Sequence, residues 1–253
     1  MHEIAKKQAV FGVVGAAHDE GGKLRAKHVF GTAFCIGNDF YLTAGHCVMA
    51  LEGSEVAGLG FGGFREGLIS GPLGIARVKR TETVDEYDVG IIEAEQIPDV
   101  GTPPWLFGHC APLTDVRTGG FPFALDHEAG IVTSRAFKGY IVAFVEKFRE
   151  LKAGPTVYEL SFPAPKGLSG APLSIVLPNR VGVGGMFIGN RSIEMEVFRE
   201  KETIAGKGEE TFIKVEGLQF GIAIAAGSLR NVPSKLLGST LGEHLQRLGL
   251  VVP

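Results

Sequence analysis

Cysteine is scarce in this chain, with three in 253 residues, at positions 35, 47 and 110. Three cannot build a disulfide framework, and none are spaced as CxxC, which removes the common cysteine-based metal sites. Long apolar runs are missing as well. None approaches the roughly 20 residues that a membrane-spanning helix needs, so no membrane partner is expected. Charge of one sign is also lacking. The 25 basic and 28 acidic residues leave a net charge of −3 and a pI near 6.2. That balance lacks the broad positive footprint of a nucleic-acid binder. There is no HExxH, no Walker loop and no GxGxxG after a strand, so no cofactor and no metal is implied. Gly-rich pieces such as GLGFGGF lack that context and read as turns.

Glycine, by contrast, is abundant, at 37 residues, roughly twice average usage. Hydrophobic residues make up 45% of the chain and charged residues 21%, enough for a large core. These figures describe a globular protein of one large or two small domains. Near the start, Lys6 and Lys7 precede the apolar run from Ala9 to Ala17, which faintly mimics a signal peptide. Gly12 and Gly15 interrupt that run, and AVFGVVG reads equally well as a first strand. The expectation is a cytoplasmic protein with reduced thiols, a secreted one being less favoured.

Most segments read as strands. FGTAFCIG and FYLTAGHCV are apolar runs separated by Asn38-Asp39, a turn signal. GPLGIARVKR, DVGIIEAE, GIVTSRAF, YIVAFV, TVYELSF, APLSIVL, RVGVGGMFIG and QFGIAIAAG follow, nearly all bounded by Gly, Pro or polar clusters. YIVAFVEKFREL is ambiguous and has room for a helical turn. Many short strands with Gly-rich turns predict a β-barrel or sandwich. A clear helix signal comes only at the end. Thr240 and Glu243 form a T-x-x-E capping box, and Leu237, Leu241, Leu245 and Leu248 recur at helical spacing. The Pro-bearing stretch from Gln96 to Thr118 reads as a linker between two halves. Asn190 to Gly217 stands apart, with 12 charged residues in 28. Its alternation predicts a projecting β-hairpin with REKETIAGKGEE at the tip. A solvated decoration and a flap that contacts substrate or a regulatory protein partner both remain open.

Three local patterns carry chemistry. They are Leu42-Thr43-Ala44-Gly45-His46-Cys47, Asp88-Val89-Gly90-Ile91-Ile92 and Gly167-Leu168-Ser169-Gly170-Ala171-Pro172. A serine hydroxyl is a poor nucleophile at neutral pH until a base takes its proton. Histidine suits that role because its pKa lies near operating pH. A carboxylate is then needed to fix the imidazole tautomer and to stabilise the imidazolium. Asp85 and Glu86 rival Asp88, but only Asp88 directly precedes the apolar strand. Gly167 allows its own N–H and that of Ser169 to converge as an oxyanion hole. His2, His18, His28, His109, His127 and His244 lack a motif context and read as structural or exposed.

The order His, Asp, Ser in these motifs resembles that of the trypsin-like serine peptidases of the chymotrypsin fold. TAGHC is similar to that family's histidine motif, DVGII to its aspartate motif, and GLSGAP to its G-D-S-G-G-P serine motif. GTAFCIGNDFYLTAGHC and VRTGGFPF…GIVTS look closest to bacterial members, including heat-shock trypsin-like proteases. No PDZ-like segment follows the catalytic part, so a full member of that heat-shock group is not expected. The resemblance implies an all-β fold of two six-stranded antiparallel β-barrels with a C-terminal helix. The corresponding division is 1–105 for the barrel carrying His46 and Asp88, 106–232 for the barrel carrying Ser169, and 233–253 for the helix and tail. It implies a serine endopeptidase acting on polypeptide substrates through Ser169, His46, Asp88 and an acyl-enzyme. Gly167 and Ser169 would supply the oxyanion hole.

The departures from the family pattern are also informative. Leu168 precedes the serine where animal digestive members carry an aspartate that pairs with a freed N-terminus. A buried ammonium would have no such partner here, so no N-terminal zymogen switch is expected, despite the superficial likeness of Val13-Val14-Gly15 to a freed terminus. The family's disulfide partner of Cys47 would fall at Gly31, and Cys35, Cys47 and Cys110 are expected as free thiols. The resemblance places the primary specificity pocket at Pro163, Ala164 and Lys166, at Phe187, Ile188 and Gly189, and near Gly221. With Pro163 at its floor it would favour a small or medium apolar residue before the cleaved bond. Two other readings fit parts of the sequence. A silent binding or scaffold protein on the same fold fits because fold does not fix function. An α/β-hydrolase, suggested by GLSGA, needs an acid and then a histidine after the serine. No aspartate follows Ser169, the later histidine is His244 beside Glu243 on the terminal helix, and alternating βα units are missing.

Overall fold

The computed structural model describes residues 9–62, 64–65, 68–71, 74–126, 131–204 and 208–252. His2 and His127 lie outside them. The first half runs β1 (Val10–His18), β2 (Leu24–Gly37), β3 (Phe40–Ala44), α1 (Gly45–Met49), β4 (Val56–Phe61), β5 (Phe64–Arg65), β6 (Leu68–Gly71), β7 (Gly74–Val84) and β8 (Val89–Ala94). The second runs β9 (Asp115–Gly120), β10 (Leu125–Asp126), β11 (Ile131–Thr133), β12 (Arg135–Val145), β13 (Val157–Leu160), β14 (Pro172–Leu177), β15 (Arg180–Ile204), β16 (Gly208–Ala225) and α2 (Ala226–Leu229). A short β17 (Pro233–Ser234), β18 (Ser239–Thr240) and α3 (Leu241–Arg247) close the chain.

Two antiparallel barrels close on themselves, in the orders β1-β2-β3-β8-β7-β4 and β12-β13-β16-β15-β14-β9. Closure removes unpaired strand edges and lets alternate side chains fill each interior. Phe11, Val13, Ala33, Tyr41, Leu59 and Ile92 pack the first. Val116, Ile141, Tyr158, Leu173, Ile175 and Ala223 pack the second. A four-stranded sheet, β10-β11-β6-β5, also joins the two halves, pairing Val132 with Gly71 and Thr133 with Ser70.

Local chemistry explains the turns and ends. Asn38 and Asp39 both have positive φ (53° and 62°), the twist-matched geometry of a two-residue hairpin turn, and they join β2 to β3. The α3 capping box forms in full. Thr240 Oγ1 accepts from Glu243 N–H while the Glu243 carboxylate accepts from Thr240 N–H. Leu241 and Leu245 of α3, with Leu237 just before it, pack beside Phe34, Ile36 and Leu42. YIVAFV is strand throughout, within β12. FYLTAGHCV departs from the strand reading, because the chain turns into α1 at Gly45 and so places His46 and Cys47 on a helical turn.

The apolar run near the start is β1, with Val13 and Val14 buried in mid-strand. Leu168 is fully buried among Leu173, Phe187 and Ala171. Past Gly221, β15 and β16 pair with each other as far as Ile204 and Gly208, forming the long hairpin. Residues 205–207 of its tip lie outside the described set. Ile193, Met195, Phe198 and Leu218 are exposed along it.

Candidate active site

His46 is held by the end of β3 and Asp88 by the turn into β8, neighbouring strands of the first barrel. Asp88 sits at φ +51°, a conformation short polar side chains tolerate, and its carbonyl accepts from Gly45 N–H at 2.8 Å. This backbone clasp aims its carboxylate at α1. Oδ1 accepts from the His46 backbone N–H at 2.9 Å, and Oδ2 lies 2.8 Å from His46 Nδ1. Both oxygens therefore grip one residue. With the carboxylate ionised, Nδ1 carries the proton and Nε2 keeps its lone pair. The hydrogen bond to Asp88 raises the His46 pKa above its ordinary value. Among the described residues Asp88 is the carboxylate bonded to this ring; Asp85 and Glu86 contribute backbone carbonyls, to Asp88 N–H and Ala153 N–H.

Ser169 arrives from the second barrel, on the loop before β14. Thr32 of β2 docks that loop. Its N–H donates to Ser169 O at 2.8 Å, its hydroxyl donates to Gly167 O at 2.8 Å, and the same hydroxyl accepts from Phe121 N–H at 3.1 Å. Thr43, three residues before His46, donates its hydroxyl to Thr32 O at 2.7 Å. Buried Thr32 and Thr43 thus bind the serine loop to the strand that leads into His46. Among the described residues, Ser169 Oγ itself has no hydrogen-bond partner.

The backbone around Ser169 explains its glycines. Gly167 has φ +99°, and a Cβ there would lie 2.6 Å from Phe121 O. Lys166 O accepts from Phe123 N–H, and Leu168 O accepts from Ala171 N–H. In planar trans peptides the next N–H points the opposite way, so the Gly167 and Ser169 N–H groups turn away from those partners.

His46, Ser169 and Gly167 line one cleft of about 640 Å³, together with Lys166, Lys27, His28 and exposed Phe123. Lys27 and His28 carry no motif that a sequence reading could use, and Phe123 ends the VRTGGFPF segment without a site role read from it. Of the expected pocket residues, Lys166 lines this cleft. Pro163 is exposed and Ala164 buried; Phe187 and Gly221 are buried, with Ile188 and Gly189 half-buried between them. His244 lies elsewhere, on α3, with Nε2 3.1 Å from Ile36 O. That placement and the double barrel rule out the α/β-hydrolase arrangement. All three cysteines are free. A Cβ built on Gly31 would fall against Cys47 Sγ, so Gly31 occupies the place where a bridging partner would stand.

No family model matches the sequence, and no curated protein matches it at a significant level. Solved structures do match. The active form of the Rv3671c protease from M. tuberculosis is similar with a TM-score of 0.54 at 16% identity, over 99% of this chain and 86% of that one. Its inactive form gives 0.51 at 17% identity, over 88% and 86%. The HtrA-type protease AlgW with a decapeptide gives 0.55 at 14% identity, over 95% of this chain and 64% of that one. Likeness at such identities speaks to the path of the backbone. That path, two closed six-stranded barrels with a histidine and an aspartate at the rim of one and a serine loop from the other, is the fold of the trypsin-like serine proteases.

Proposed function

We propose that this protein is a serine endopeptidase with Ser169 as nucleophile, His46 as general base and then acid, and Asp88 as the group that orients and charges His46. The observation that carries this reading is the two-point grip of Asp88 on His46 at the edge of a cleft that Ser169 also lines. Substrate binding would draw Ser169 Oγ to Nε2. Attack on the scissile carbonyl then passes the hydroxyl proton to Nε2, and the oxyanion is held by the Gly167 and Ser169 N–H groups. His46 returns the proton to the leaving amine, and water releases the acyl group by the reverse sequence. The peptide adds as a strand along Ile188 and Gly189, using main-chain hydrogen bonds. A Cβ on Gly189 would meet nothing within 4 Å, so that surface is open to a backbone. Pro163, Ala164, Lys166, Phe187 and Gly221 surround the residue before the cleaved bond, with preference for small or medium apolar side chains.

The competing reading is a silent binding protein on the same fold, and the Ser169 hydroxyl, without a hydrogen-bond partner among the described residues, is the observation on its side. A fluorophosphonate probe and a diverse peptide library separate the two. The expected result is labelling of the folded protein and cleavage after apolar residues, both abolished in Ser169→Ala. A folded wild type that neither labels nor cuts would leave the binding reading standing.

A further inference from the structure

The two segments assigned to the primary pocket are bridged by a residue outside both. Asn190 follows Gly189 on β15, and its carboxamide reaches across to Ala164. Oδ1 accepts from Ala164 N–H at 2.5 Å and Nδ2 donates to Ala164 O at 2.8 Å. One side chain thereby satisfies both backbone groups of one residue on the facing wall. Two such bonds to a fixed backbone hold the amide in a single orientation across the gap.

A register shift puts it there. The pairing of β15 with β16 slips between Phe187 and Gly189, leaving Ile188 as a bulge, so Asn190 rather than Gly189 stands opposite Gly221. The base of the gap is closed as well. Gly221 N–H donates to Phe162 O at 2.9 Å, and a Cβ on Gly221 would come within 2.6 Å of that oxygen and 3.3 Å of the Phe187 ring. The Phe162 ring packs against Phe187, with centroids 5.8 Å apart, and stacks on Phe137 at 5.9 Å. Asn190 is itself exposed, so its amide joins the two segments on their solvent side, with the Gly221 backbone and the Phe162 and Phe187 rings nearby.

We infer that Asn190 sets the depth of the primary pocket and limits the residue before the cleaved bond to glycine, alanine or serine, an inference that rests on the peptidase reading above. On this reading a leucine or phenylalanine side chain between the two segments would have to displace the carboxamide. Both backbone groups of Ala164, which is itself buried, then lose their partners. A small side chain avoids that loss.

The test is a matched series of peptides that differ only in the residue before the bond, with kcat/KM measured for wild type, N190G and N190A. Wild type should favour alanine over leucine and phenylalanine by on the order of tenfold to a hundredfold, the discrimination a tight apolar site gives. Removing the carboxamide should raise leucine cleavage at least about tenfold relative to alanine. A wild type that cuts after leucine or phenylalanine as readily as after alanine would overturn the inference without any variant. Identical profiles in wild type and either folded variant would do the same. Fluorophosphonate labelling keeps the two ideas apart: an unlabelled, inert wild type removes the peptidase reading, whereas a labelled, active one with the wrong profile removes only the role of Asn190.

Discussion

Asp88 shows how much a single residue decides in this site. Its two oxygens fix both the backbone and the ring of His46, so loss of charge alone should matter even where shape is kept. In Asp88→Asn the amide either fails to accept from Nδ1–H or forces the other tautomer, which turns the lone pair away from Ser169. The expected fall in kcat is roughly four orders of magnitude. The pH profile carries a second signature. His46 must be neutral to accept a proton, and Asp88 raises its pKa, so wild-type kcat/KM should climb through an acid limb lying above 6.5. Asp88→Asn should move the limb to lower pH in whatever activity remains. A limb that stays in place would show that Asp88 does not act on His46. This residue was legible in the sequence because its signal is local, a carboxylate directly ahead of an apolar strand. Asn190 was not, since the bulge at Ile188 that sets it opposite Gly221 leaves no mark in residue order.

Among the elements, the loop before β14 depends most on partners distant in sequence. Gly170 has φ +83°, and a Cβ there would press into Thr32 O and Thr43 Oγ1 more closely than real Cβ atoms approach, with Ala44 N at 2.9 Å. All three neighbours belong to the first barrel. Gly170→Ala should therefore cost about 2–4 kcal/mol, combining unfavourable φ with overpacking against backbone. Chemical denaturation gives that number directly, and a loss under about 0.5 kcal/mol would mean the loop relaxes freely. The serine motif was readable as a motif, but Thr32 and Thr43 were not readable as its supports. Their hydroxyls meet it only because β2 and β3 run beneath the loop. Helix α3 lies at the other extreme. Its cap needs only residues 240 and 243, and a four-residue interaction is complete within the sequence window that encodes it.

At the scale of the whole molecule, the two barrels meet around Trp105, the single tryptophan in the chain. It is fully buried, its ring lies 5.7 Å from Phe34 of the first barrel, and its backbone bridges Val183 of the second and Val251 of the tail. Its emission is therefore a probe of the seam on which the site is built. If the barrels unfold as one unit, the red shift of Trp105 emission and the loss of far-ultraviolet dichroism should coincide along a denaturant titration. Two separated transitions would show that the seam opens before the barrels melt. Residue order alone established the many short strands, the turn at Asn38 and Asp39, the terminal cap and the three short motifs, because periodicity, turn chemistry and motif spacing act over a few neighbours. Tertiary structure alone decided which strands close each barrel, how Thr32 carries the serine loop to His46, that His28 and Lys27 face the cleft, and that Asn190 bonds both backbone groups of Ala164. Those outcomes depend on register and on contacts between segments more than a hundred residues apart, such as Thr32 with Gly167, and no local pattern records them.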